Sequence, residues 1–299
     1  MLHEYSAADL HPAALADEAG RRARLGVIGN PIAHSKSPQM QQAALDALGN
    51  PLRYIRLRAE REAGAFEALL AQLQALGFIG VNVTVPFKKQ ACAAAAFRDP
   101  LAALSGAVNT LVFTPEGLRG YNTDGPGFER AVAELTGRPL AQLRVLLLGA
   151  CGGAGSALAC QCTLSGCPQL VLVNRPKPEL AALRERLAPH ARGELRALPF
   201  GSPELRAAAE QAELIVNATS LGLRAGDPLP LPPEWLHPGQ QVCDIVTHDT
   251  PLRRAAEARG CRTANGLAML LWQGAIAYRH WFGVLPPIEP MRAALSATE

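Results

Sequence analysis

The sequence predicts an α/β protein built from two domains. Short apolar runs alternate with longer segments rich in alanine and leucine, a pattern typical of parallel strands joined by crossover helices. One apolar run, VLLLGACGGAGSAL at residues 145–158, breaks into a glycine-rich turn and then continues as a helical pattern. The length of 299 residues also exceeds the usual size of a single domain.

The apolar runs predict the strands, and the segments between them predict the helices. Strands are expected at residues 25–29, 54–57, 80–83, 107–113, 145–148, 170–173, 214–217 and 241–245. Helices are expected at residues 38–49, 62–76, 154–165, 178–188 and 203–211. A turn followed by an amphipathic helix at 120–137 is expected to connect the domains. A last helix at 266–283 is expected to return to the first domain.

Composition and charge exclude several classes of protein. The chain is 48% hydrophobic and 18% charged, and its net charge of +3 is too small to indicate a nucleic-acid or membrane-surface partner. The charged segment 1–24 lacks an apolar core of signal-peptide length, so we interpret it as a frayed leader. The uncharged stretch 145–174 contains glycines, a proline and polar residues, which favours a buried strand–turn–helix–strand over a transmembrane helix.

The seven cysteines are scattered along the chain and odd in number. They form no C-x-x-C pair and have no histidine at metal-ligand spacing. The sequence therefore predicts buried free thiols in a reducing cytoplasm and no metal site.

The glycine-rich turn departs from the G-x-G-x-x-G pattern of dinucleotide-binding proteins, because Cys151 stands where the second glycine is expected. If Cys151 is one extra residue, then Gly149, Gly152, Gly153 and Ala154 form a strand-to-helix turn. The backbone N–H groups of such a turn face a pyrophosphate at the start of a helix. A plain tight turn is the alternative interpretation.

The strand after this turn ends in Asn174 and Arg175. An NAD-binding unit normally has a carboxylate here, which bonds the 2′-hydroxyl of the ribose. A neutral asparagine followed by an arginine suits a 2′-phosphate instead. The pair predicts NADP in preference to NAD, with a solvated surface arginine as the alternative.

Two serines stand at a predicted strand-to-helix turn in GNPIAHSKSP, residues 29–38. Ser35 and Ser37 flank a lysine at the start of a helix. Both hydroxyls can act as helix caps. Equally, hydroxyls and unbonded N–H groups at a helix start can bind a substrate carboxylate.

Further polar residues stand at the ends of predicted strands. In GVNVTVPFKK, residues 80–89, Asn82 and Thr84 share one face of a strand, and Lys88 follows shortly after. Asn109 and Asp124 also stand at turn-like strand ends. A lysine and an aspartate that meet at such a crevice can relay a proton. Taken singly, each residue is as readily explained as an Asx turn or a surface group.

Seven blocks, in sequence order, resemble the shikimate dehydrogenase family. They span residues 25 to about 285 and read GNPIAHSKSP, GVNVTVPFKK, GAVNTL, GYNTDGPG, VNATSLGL, DIV…TPL and NGLAMLLWQGA. The resemblance implies an N-terminal α/β substrate-binding domain, a Rossmann-type NADP-binding domain and C-terminal helices that return to the first domain. The implied boundaries are 1–124 plus 265–299 for the substrate-binding catalytic domain and 125–264 for the Rossmann domain.

The same resemblance implies an activity, partners and a location. The implied reaction is the NADP-linked interconversion of 3-dehydroshikimate and shikimate in aromatic amino acid and chorismate biosynthesis, in the cytoplasm. The implied partner is a small-molecule substrate, with no nucleic acid and no membrane, and the chain is expected to be a monomer or a homodimer.

The resemblance also implies a role for individual residues. Lys88 and Asp124 would be the catalytic pair, and Ser35 and Ser37 would hold the substrate carboxylate. The remaining substrate-binding residues would be Asn82, Thr84, Asn109, Gln273 and Thr247. The cofactor-binding residues would be Gly149, Gly152, Gly153, Ala154, Asn174, Arg175, Lys177, Asn217, Thr219 and Gly266.

The sequence departs from the family pattern at several of these places. Gln41 and Gln42 replace a His-Asn pair, and Thr247 replaces a tyrosine that lies near the substrate and the nicotinamide in the family. Glu179 stands where a basic residue is expected, with Lys177 as a substitute. These departures keep two alternatives open, a paralogue acting on quinate or a related hydroxy acid and a non-catalytic sensor of shikimate-like ligands. The lysine and aspartate pair argues against the sensor, since binding alone needs no proton relay.

Overall fold

Strands and helices alternate along residues 4–297, the part of the chain that the computed structural model describes. The strands of the first sheet are β1 (Glu4–Tyr5), β2 (Arg22–Gly29), β3 (Leu52–Arg58), β4 (Gly80–Val83), β5 (Phe97–Arg98), β6 (Thr110–Thr114) and β7 (Gly117–Tyr121). Those of the second are β8 (Arg144–Leu148), β9 (Gln169–Asn174), β10 (Glu194–Pro199), β11 (Leu214–Asn217), β12 (Gln241–Asp244) and β13 (Arg262–Ala264). The helices are α1 (Ser37–Ala47), α2 (Ala65–Ala75), α3 (Lys88–Ala94), α4 (Pro100–Ser105), α5 (Asp124–Thr136), α6 (Gly153–Ser165), α7 (Pro178–Leu187), α8 (Leu205–Gln211), α9 (Pro251–Ala258), α10 (Leu267–Phe282) and α11 (Ile288–Ser296).

Local sequence explains where several helices begin and end. Asp99 precedes Pro100 at the start of α4, and its carboxylate accepts a hydrogen bond from a backbone N–H in the first turn. Thr250 caps α9 before Pro251 in the same way. Proline suits this position because the first N–H groups of a helix have no intrahelical partner. Gly166 ends α6 in the left-handed conformation, which glycine adopts without strain.

The second sheet is parallel throughout and confirms the predicted Rossmann-type fold. Its strand order is β10-β9-β8-β11-β12-β13. Numbered from its own first strand, this is the order 3-2-1-4-5-6 of the dinucleotide-binding fold. The order reverses between β8 and β11, and in such sheets the ligand crevice lies beyond the carboxyl ends of the strands at this point.

The first sheet differs from the expected parallel arrangement. Its order is β1-β3-β2-β4-β6-β7-β5, and β6 runs antiparallel to both β4 and β7. The reason lies in the connection between β6 and β7, where Thr114 pairs with Gly117. A turn this short can join only antiparallel strands, since a parallel pair needs a crossover of a dozen or more residues.

The N-terminal segment is folded, so its interpretation as a frayed leader is wrong for the residues from Glu4 onward. β1 pairs in parallel with β3, and the side chains of Tyr5, Leu10 and Leu15 are buried in the core of this unit. These apolar residues recur every five positions, a spacing that fits neither the helical period of 3.6 nor the strand period of two. β1 nevertheless covers part of the edge that β3 would otherwise expose.

Packing divides the chain into two compact units. The first comprises the residues up to Thr123 together with those from Gln273 onward, and the second comprises Asp124–Trp272. The predicted helix at 266–283 is α10, and the chain passes from the second unit back to the first within it. The boundaries predicted between the substrate-binding and the Rossmann domain, at residues 124/125 and 264/265, stay a prediction.

The C-terminal helices complete the first unit. The indole N–H of Trp281 in α10 donates to the backbone oxygen of Leu111 in β6 at 3.1 Å. The ring lies over Gly80 in β4, where a Cβ atom would collide with it. α11 packs along α1 and buries Met291 and Leu295. Within the described range, no helix is long and apolar enough to cross a membrane.

Candidate active site

A buried cluster of polar side chains lies at the ends of β4 and β6 in the first unit. Nδ2 of Asn82 donates to the backbone oxygen of Asn109 at 3.2 Å and to Oγ1 of Thr110 at 3.0 Å. Oδ1 of Asn82 accepts from the hydroxyl of Tyr54 at 2.8 Å. All four residues are at least 95% buried. The cluster joins β3, β4 and β6 through side chains rather than through the backbone ladder alone.

The cluster continues to α10. Oδ1 of Asn109 accepts from the backbone N–H of Thr123 at 2.7 Å, and its Nδ2 donates to Oγ1 of Thr123 at 3.0 Å. The same Nδ2 lies 3.4 Å from Oε1 of Gln273, at the start of the returning part of α10. Three of the predicted substrate-binding residues, Asn82, Asn109 and Gln273, therefore belong to one hydrogen-bonded network.

Three members of this network were not singled out by the sequence. Thr110 and Thr123 are completely buried, and their hydroxyl oxygens lie 3.2 Å apart. Each is adjacent in sequence to a predicted site residue, Thr110 to Asn109 and Thr123 to Asp124. This adjacency is the only sequence feature that could have indicated them. Tyr54 lies within a predicted strand and had no such signal. Burial raises the pKa of its hydroxyl well above the ordinary value, so the group stays protonated and can donate.

The two serines flank the start of α1. Oγ of Ser35 accepts from the backbone N–H of Ser37 at 3.3 Å, and the backbone oxygen of Ser35 accepts from the guanidinium of Arg56 at 2.6 Å. Ser37 is buried and Ser35 is half-buried. The hydroxyl of Ser35 thus acts as a local cap, while Arg56 brings a positive charge to this turn.

Lys88 and Thr84 flank a tight turn between β4 and α3. The N–H of Phe87 donates to the backbone oxygen of Thr84 at 3.0 Å, and Lys88 is the first residue of α3. Both side chains are half-buried. Asp124 is buried and begins α5, the first element of the second unit.

In the second unit, the glycine-rich turn follows β8 at the point where the strand order reverses. Gly149 has a φ of +81°, and a Cβ atom there would lie 2.7 Å from the backbone of residue 218. A Cβ atom at Gly155 would collide with the carbonyl oxygen of Gly149. At Gly153 a Cβ atom would meet nothing within 4 Å, so the first turn of α6 is open to an approaching group.

The observed glycine spacing is G-x-x-G-x-x-G, formed by Gly149, Gly152 and Gly155. Cys151 is therefore one extra residue in the first half of the pattern. The N–H of Gly152 donates to the oxygen of Gly149 at 3.0 Å, which closes the enlarged turn. The strand order, the tight turn and the open N-terminus of α6 fit a dinucleotide pyrophosphate.

The end of β11 forms the other side of this crevice. Oδ1 of Asn217 accepts from the N–H of Thr219 at 3.1 Å and from its hydroxyl at 2.7 Å. Nδ2 of Asn217 donates to Asp244 at 3.1 Å, and Asp244 also accepts from the hydroxyl of Thr250 at 2.8 Å. The Asn217 carboxamide thus shapes the loop that packs against Gly149.

Two predicted residues after β12 are joined through the backbone. The backbone oxygen of Thr247 accepts from Nδ2 of Asn265 at 3.1 Å, and the N–H of Gly266 donates to the oxygen of Val246 at 2.9 Å. These bonds fix the loop after β12 against the start of α10. The side chain of Thr247 is half-buried.

Charged residues of α7 and of the segment before it lie near the glycine-rich turn. Arg175 and Lys177 are exposed directly after β9. The guanidinium of Arg186 in α7, which the sequence did not single out, donates to the hydroxyl of Ser156 in α6 at 3.2 Å. Glu179 is an acidic residue on the same helix.

These charges shift the pKa of the Cys151 thiol. Burial raises its pKa most, Glu179 raises it further, and Arg186 and Lys177 lower it. The neighbourhood of the turn therefore mixes two positive charges with one negative charge. Within residues 4–297, we find no group of three or more His, Cys, Asp or Glu side chains that could hold a metal ion.

Comparison with known proteins decides the family. A family profile described as "Shikimate dehydrogenase substrate binding domain" matches residues 27–111, and one described as "Shikimate 5'-dehydrogenase C-terminal domain" matches residues 266–295. A curated relative from Rubrobacter xylanophilus, named shikimate dehydrogenase (NADP(+)), is 43% identical over 281 residues, which are 93% of this chain and 96% of the relative. The chain belongs to the shikimate dehydrogenase family.

Solved structures of shikimate dehydrogenases and their relatives share the fold. The shikimate 5-dehydrogenase of Thermus thermophilus, in complex with NADP(H) and shikimate, is 36% identical and has a TM-score of 0.78. The match covers 93% of this chain and 100% of the Thermus thermophilus chain. The quinate dehydrogenase of Corynebacterium glutamicum, in complex with NAD, is 28% identical with a TM-score of 0.81, covering 91% and 98%.

Gln41 and Gln42, which are expected from the sequence to replace a His-Asn pair of the family, have a structural role in this chain. Nε2 of the buried Gln41 donates to the backbone oxygen of Gly274 in α10 at 2.9 Å. Oε1 of Gln42 accepts from the N–H of Tyr54 at 3.1 Å, and its Nε2 donates to the backbone oxygen of Leu52 at 3.2 Å. The two amides therefore attach α1 to α10 and to β3.

Proposed function

We propose that this protein is an NADP-dependent shikimate dehydrogenase that catalyses the reversible reduction of 3-dehydroshikimate to shikimate, a step of aromatic amino acid biosynthesis. The observation that carries the proposal is the 43% identity to a shikimate dehydrogenase (NADP(+)) across 93% of the chain. The Rossmann-type strand order and the buried amide network support it independently, because the reaction needs both a dinucleotide site and a polyol-binding site.

Lys88 and Asp124 are the proposed catalytic residues. When bound, the reduced cofactor NADPH supplies the hydride for the reduction, and NADP(+) accepts it in the reverse reaction. The ammonium group of Lys88 would stabilise the substrate oxygen that gains charge as the ring ketone is reduced, and would donate the proton to that oxygen. Asp124 would share the proton and keep Lys88 charged. The order and residue types of the family motifs support these two roles.

The proposed substrate residues combine anion and hydroxyl recognition. Ser35 and Ser37 would bind the carboxylate at the start of α1, and the guanidinium of Arg56 on the Ser35 oxygen supports an anion at this turn. The ring hydroxyls would contact Asn82, Thr84, Asn109 and Gln273, and Thr247 would lie near the reacting carbon. Carboxamides suit this task because each offers donors and an acceptor to neutral hydroxyls.

NADP is the proposed cofactor because β9 ends in a neutral Asn174 followed by the exposed Arg175. A carboxylate at this place would repel a 2′-phosphate, whereas a guanidinium binds it with charge-assisted hydrogen bonds. Lys177 is the second proposed basic contact. The pyrophosphate would lie on Gly149, Gly152, Gly153 and Ala154, with Asn217, Thr219 and Gly266 as the further proposed cofactor contacts.

Quinate is the second candidate substrate, favoured by one observation. Thr247 replaces the family tyrosine, so a larger or differently substituted ring has more room at this position. The discriminating experiment measures kcat/KM of the purified protein for shikimate and for quinate, each with NADP and with NAD. We expect the highest value for shikimate with NADP. A tenfold or greater preference for quinate would reverse the assignment, and binding without any turnover would favour a sensor.

We also infer a cytoplasmic location, because the seven cysteines, all within the described residues, are free thiols and six of them are buried. Free thiols in this number are typical of a reducing compartment. The proposed oligomeric state is a monomer or a homodimer, and light scattering distinguishes the two by mass.

A further inference from the structure

The hydrogen bonds around Asn82 determine which way its carboxamide points. The backbone oxygen of Asn109 can only accept, so the atom of Asn82 that lies 3.2 Å from it must be the Nδ2 donor. Oδ1 then points to the other side, where the hydroxyl of Tyr54 lies at 2.8 Å. Tyr54 must therefore donate, and the assignment of oxygen and nitrogen in Asn82 follows from the partners.

In this orientation, the Asn82 side chain can accept a further hydrogen bond but cannot donate one. Its two amide hydrogens go to the Asn109 oxygen and to Oγ1 of Thr110. Its Oδ1 accepts one hydrogen bond from Tyr54 and, as a carboxamide oxygen, has a second lone pair. Towards a ligand, Asn82 can therefore accept a hydrogen bond, but in this orientation its N–H groups are committed.

We propose that Tyr54 is a positioning residue that, together with the backbone oxygen of Asn109 and Oγ1 of Thr110, holds Asn82 so that it accepts a hydrogen bond from a substrate hydroxyl and discriminates against a carbonyl or carboxylate at that place. The proposal rests on the proposed function, because it deepens the assignment of Asn82 to the substrate site. Tyr54 acts through Asn82 and is not itself a catalytic residue.

The surroundings of Tyr54 suit this role. Its side chain is 96% buried, and its ring lies 6.1 Å from the ring of Trp281, centroid to centroid. Its backbone N–H is held by Gln42. A rigid tyrosine with a protonated hydroxyl places its donor without the conformational cost that a longer side chain would incur.

The test replaces Tyr54 with phenylalanine, which removes the hydroxyl and keeps the ring. The matched control is Tyr278→Phe, because Tyr278 is also buried in the first unit and its hydroxyl is hydrogen-bonded to Asn50 rather than to the network. We expect Tyr54→Phe to raise KM for shikimate by about 2- to 12-fold, the range of one neutral hydrogen bond, with kcat and KM for NADP nearly unchanged.

A series of shikimate analogues, each lacking one ring hydroxyl, sharpens the test. One of these analogues lacks the hydroxyl that is proposed to donate to Asn82. Its KM should be the same for the wild-type protein and for Tyr54→Phe, because the hydrogen bond that Tyr54 supports is absent in both cases. Thr110→Val removes the acceptor of one Asn82 hydrogen and is expected to raise the same KM, which provides a second route if Tyr54→Phe folds poorly.

The outcomes separate this inference from the proposed function. If the wild-type protein oxidises neither shikimate nor quinate, the proposed function fails. If the wild-type protein is active but Tyr54→Phe and Tyr278→Phe change KM for shikimate equally, the positioning role is overturned and the function stands. An equal rise of KM for shikimate and for NADP would also overturn it, because a general loss of structure explains that result.

Discussion

Lys88 is the first residue of α3 and follows directly on the turn in which Phe87 bonds back to Thr84. Lys88→Ala is expected to lower kcat by about 10²–10⁴-fold, the usual loss for a missing general acid, while KM for shikimate stays within about threefold. Steady-state kinetics measure both. Lys89→Ala is the control, since Lys89 is the exposed neighbour on the same turn. A Lys88→Ala variant with near-normal turnover would remove Lys88 from the mechanism.

Arg175 is the residue proposed to distinguish the two cofactors. Arg175→Ala is expected to weaken NADP binding by about tenfold or more, because a charge-assisted phosphate contact is lost, and to leave NAD binding nearly unchanged. Calorimetric titration with each cofactor measures the two affinities. Arg184→Ala removes another exposed arginine of the same unit and serves as the control. Equal losses for NADP and NAD would show that Arg175 does not contact the phosphate.

Thr247 is proposed to lie near the reacting carbon, at a position where the resemblance implies a tyrosine in the family. Thr247→Tyr is expected to raise kcat/KM for shikimate by about 2- to 12-fold through one regained hydrogen bond. Thr247→Phe supplies the ring without the hydroxyl and should not reproduce the gain. A Thr247→Tyr enzyme that loses activity on shikimate would mean that the pocket is built for a different substrate.

At the residue scale, the sequence identified the groups whose chemistry stands out and missed those that hold them. Asn82 and Asn109 stood out as amides at strand ends. Tyr54 and Thr110 did not stand out, because a tyrosine or threonine in a strand is ordinary. Only the fold places β3 and β6 on opposite sides of the pair formed by β2 and β4. A hydrogen bond between residues 28 positions apart, as between Tyr54 and Asn82, leaves no local pattern to detect.

At the scale of elements, the glycine-rich turn depends on close backbone approach at Gly155. Gly155→Ala is expected to lower the free energy of unfolding by about 1–3 kcal/mol, because the added methyl group collides with the carbonyl of Gly149. Gly153→Ala has open space and should leave that free energy unchanged or raise it by up to about 1 kcal/mol. Urea unfolding without cofactor measures both variants. Equal effects would contradict the packing role of Gly155.

Strands that contain a short apolar run were predicted closely, whereas strands without such a run were missed. The predicted strands at 80–83 and 214–217 are β4 and β11 with the same bounds. Of the missed strands, β1, β5 and β13 are two or three residues long, and they form only because a neighbouring strand offers an edge. β7 was missed because its sequence, GLRGY, contains two glycines and an arginine and no apolar run. β10 was missed because charged residues alternate with apolar ones along it and no long apolar run results.

At the scale of the whole molecule, one histidine links stability to pH. The ring of His280 stacks on that of Tyr121, with centroids 3.8 Å apart. Burial, and secondly the charge of Arg279, lower its pKa from an ordinary 6.5 to about 4. The folded protein therefore favours the neutral ring. The stabilisation is complete above about pH 6.5 and is lost as the pH falls towards about 4.

His280→Gln is expected to flatten this part of the stability profile. Thermal unfolding at about pH 7 and about pH 5 should show a smaller difference in midpoint for the variant than for the wild-type protein, because the variant has no ring to protonate. The exposed His190 provides the control variant His190→Gln, which should retain the full difference. Identical profiles for the wild-type protein and His280→Gln would contradict the assignment.

The closure of the first unit by α10 has a consequence for synthesis of the chain. Trp281 follows its partner Leu111 by 170 residues, and the whole second unit is translated between them. At the usual rates of translation this interval lasts about 10–30 s. During that time, β4 and β6 have left the ribosome without the indole that covers Gly80. The nascent sheet therefore lacks part of its apolar cover until α10 is synthesised, and we expect the risk of aggregation to depend on translation speed as well as on the stability of the finished enzyme.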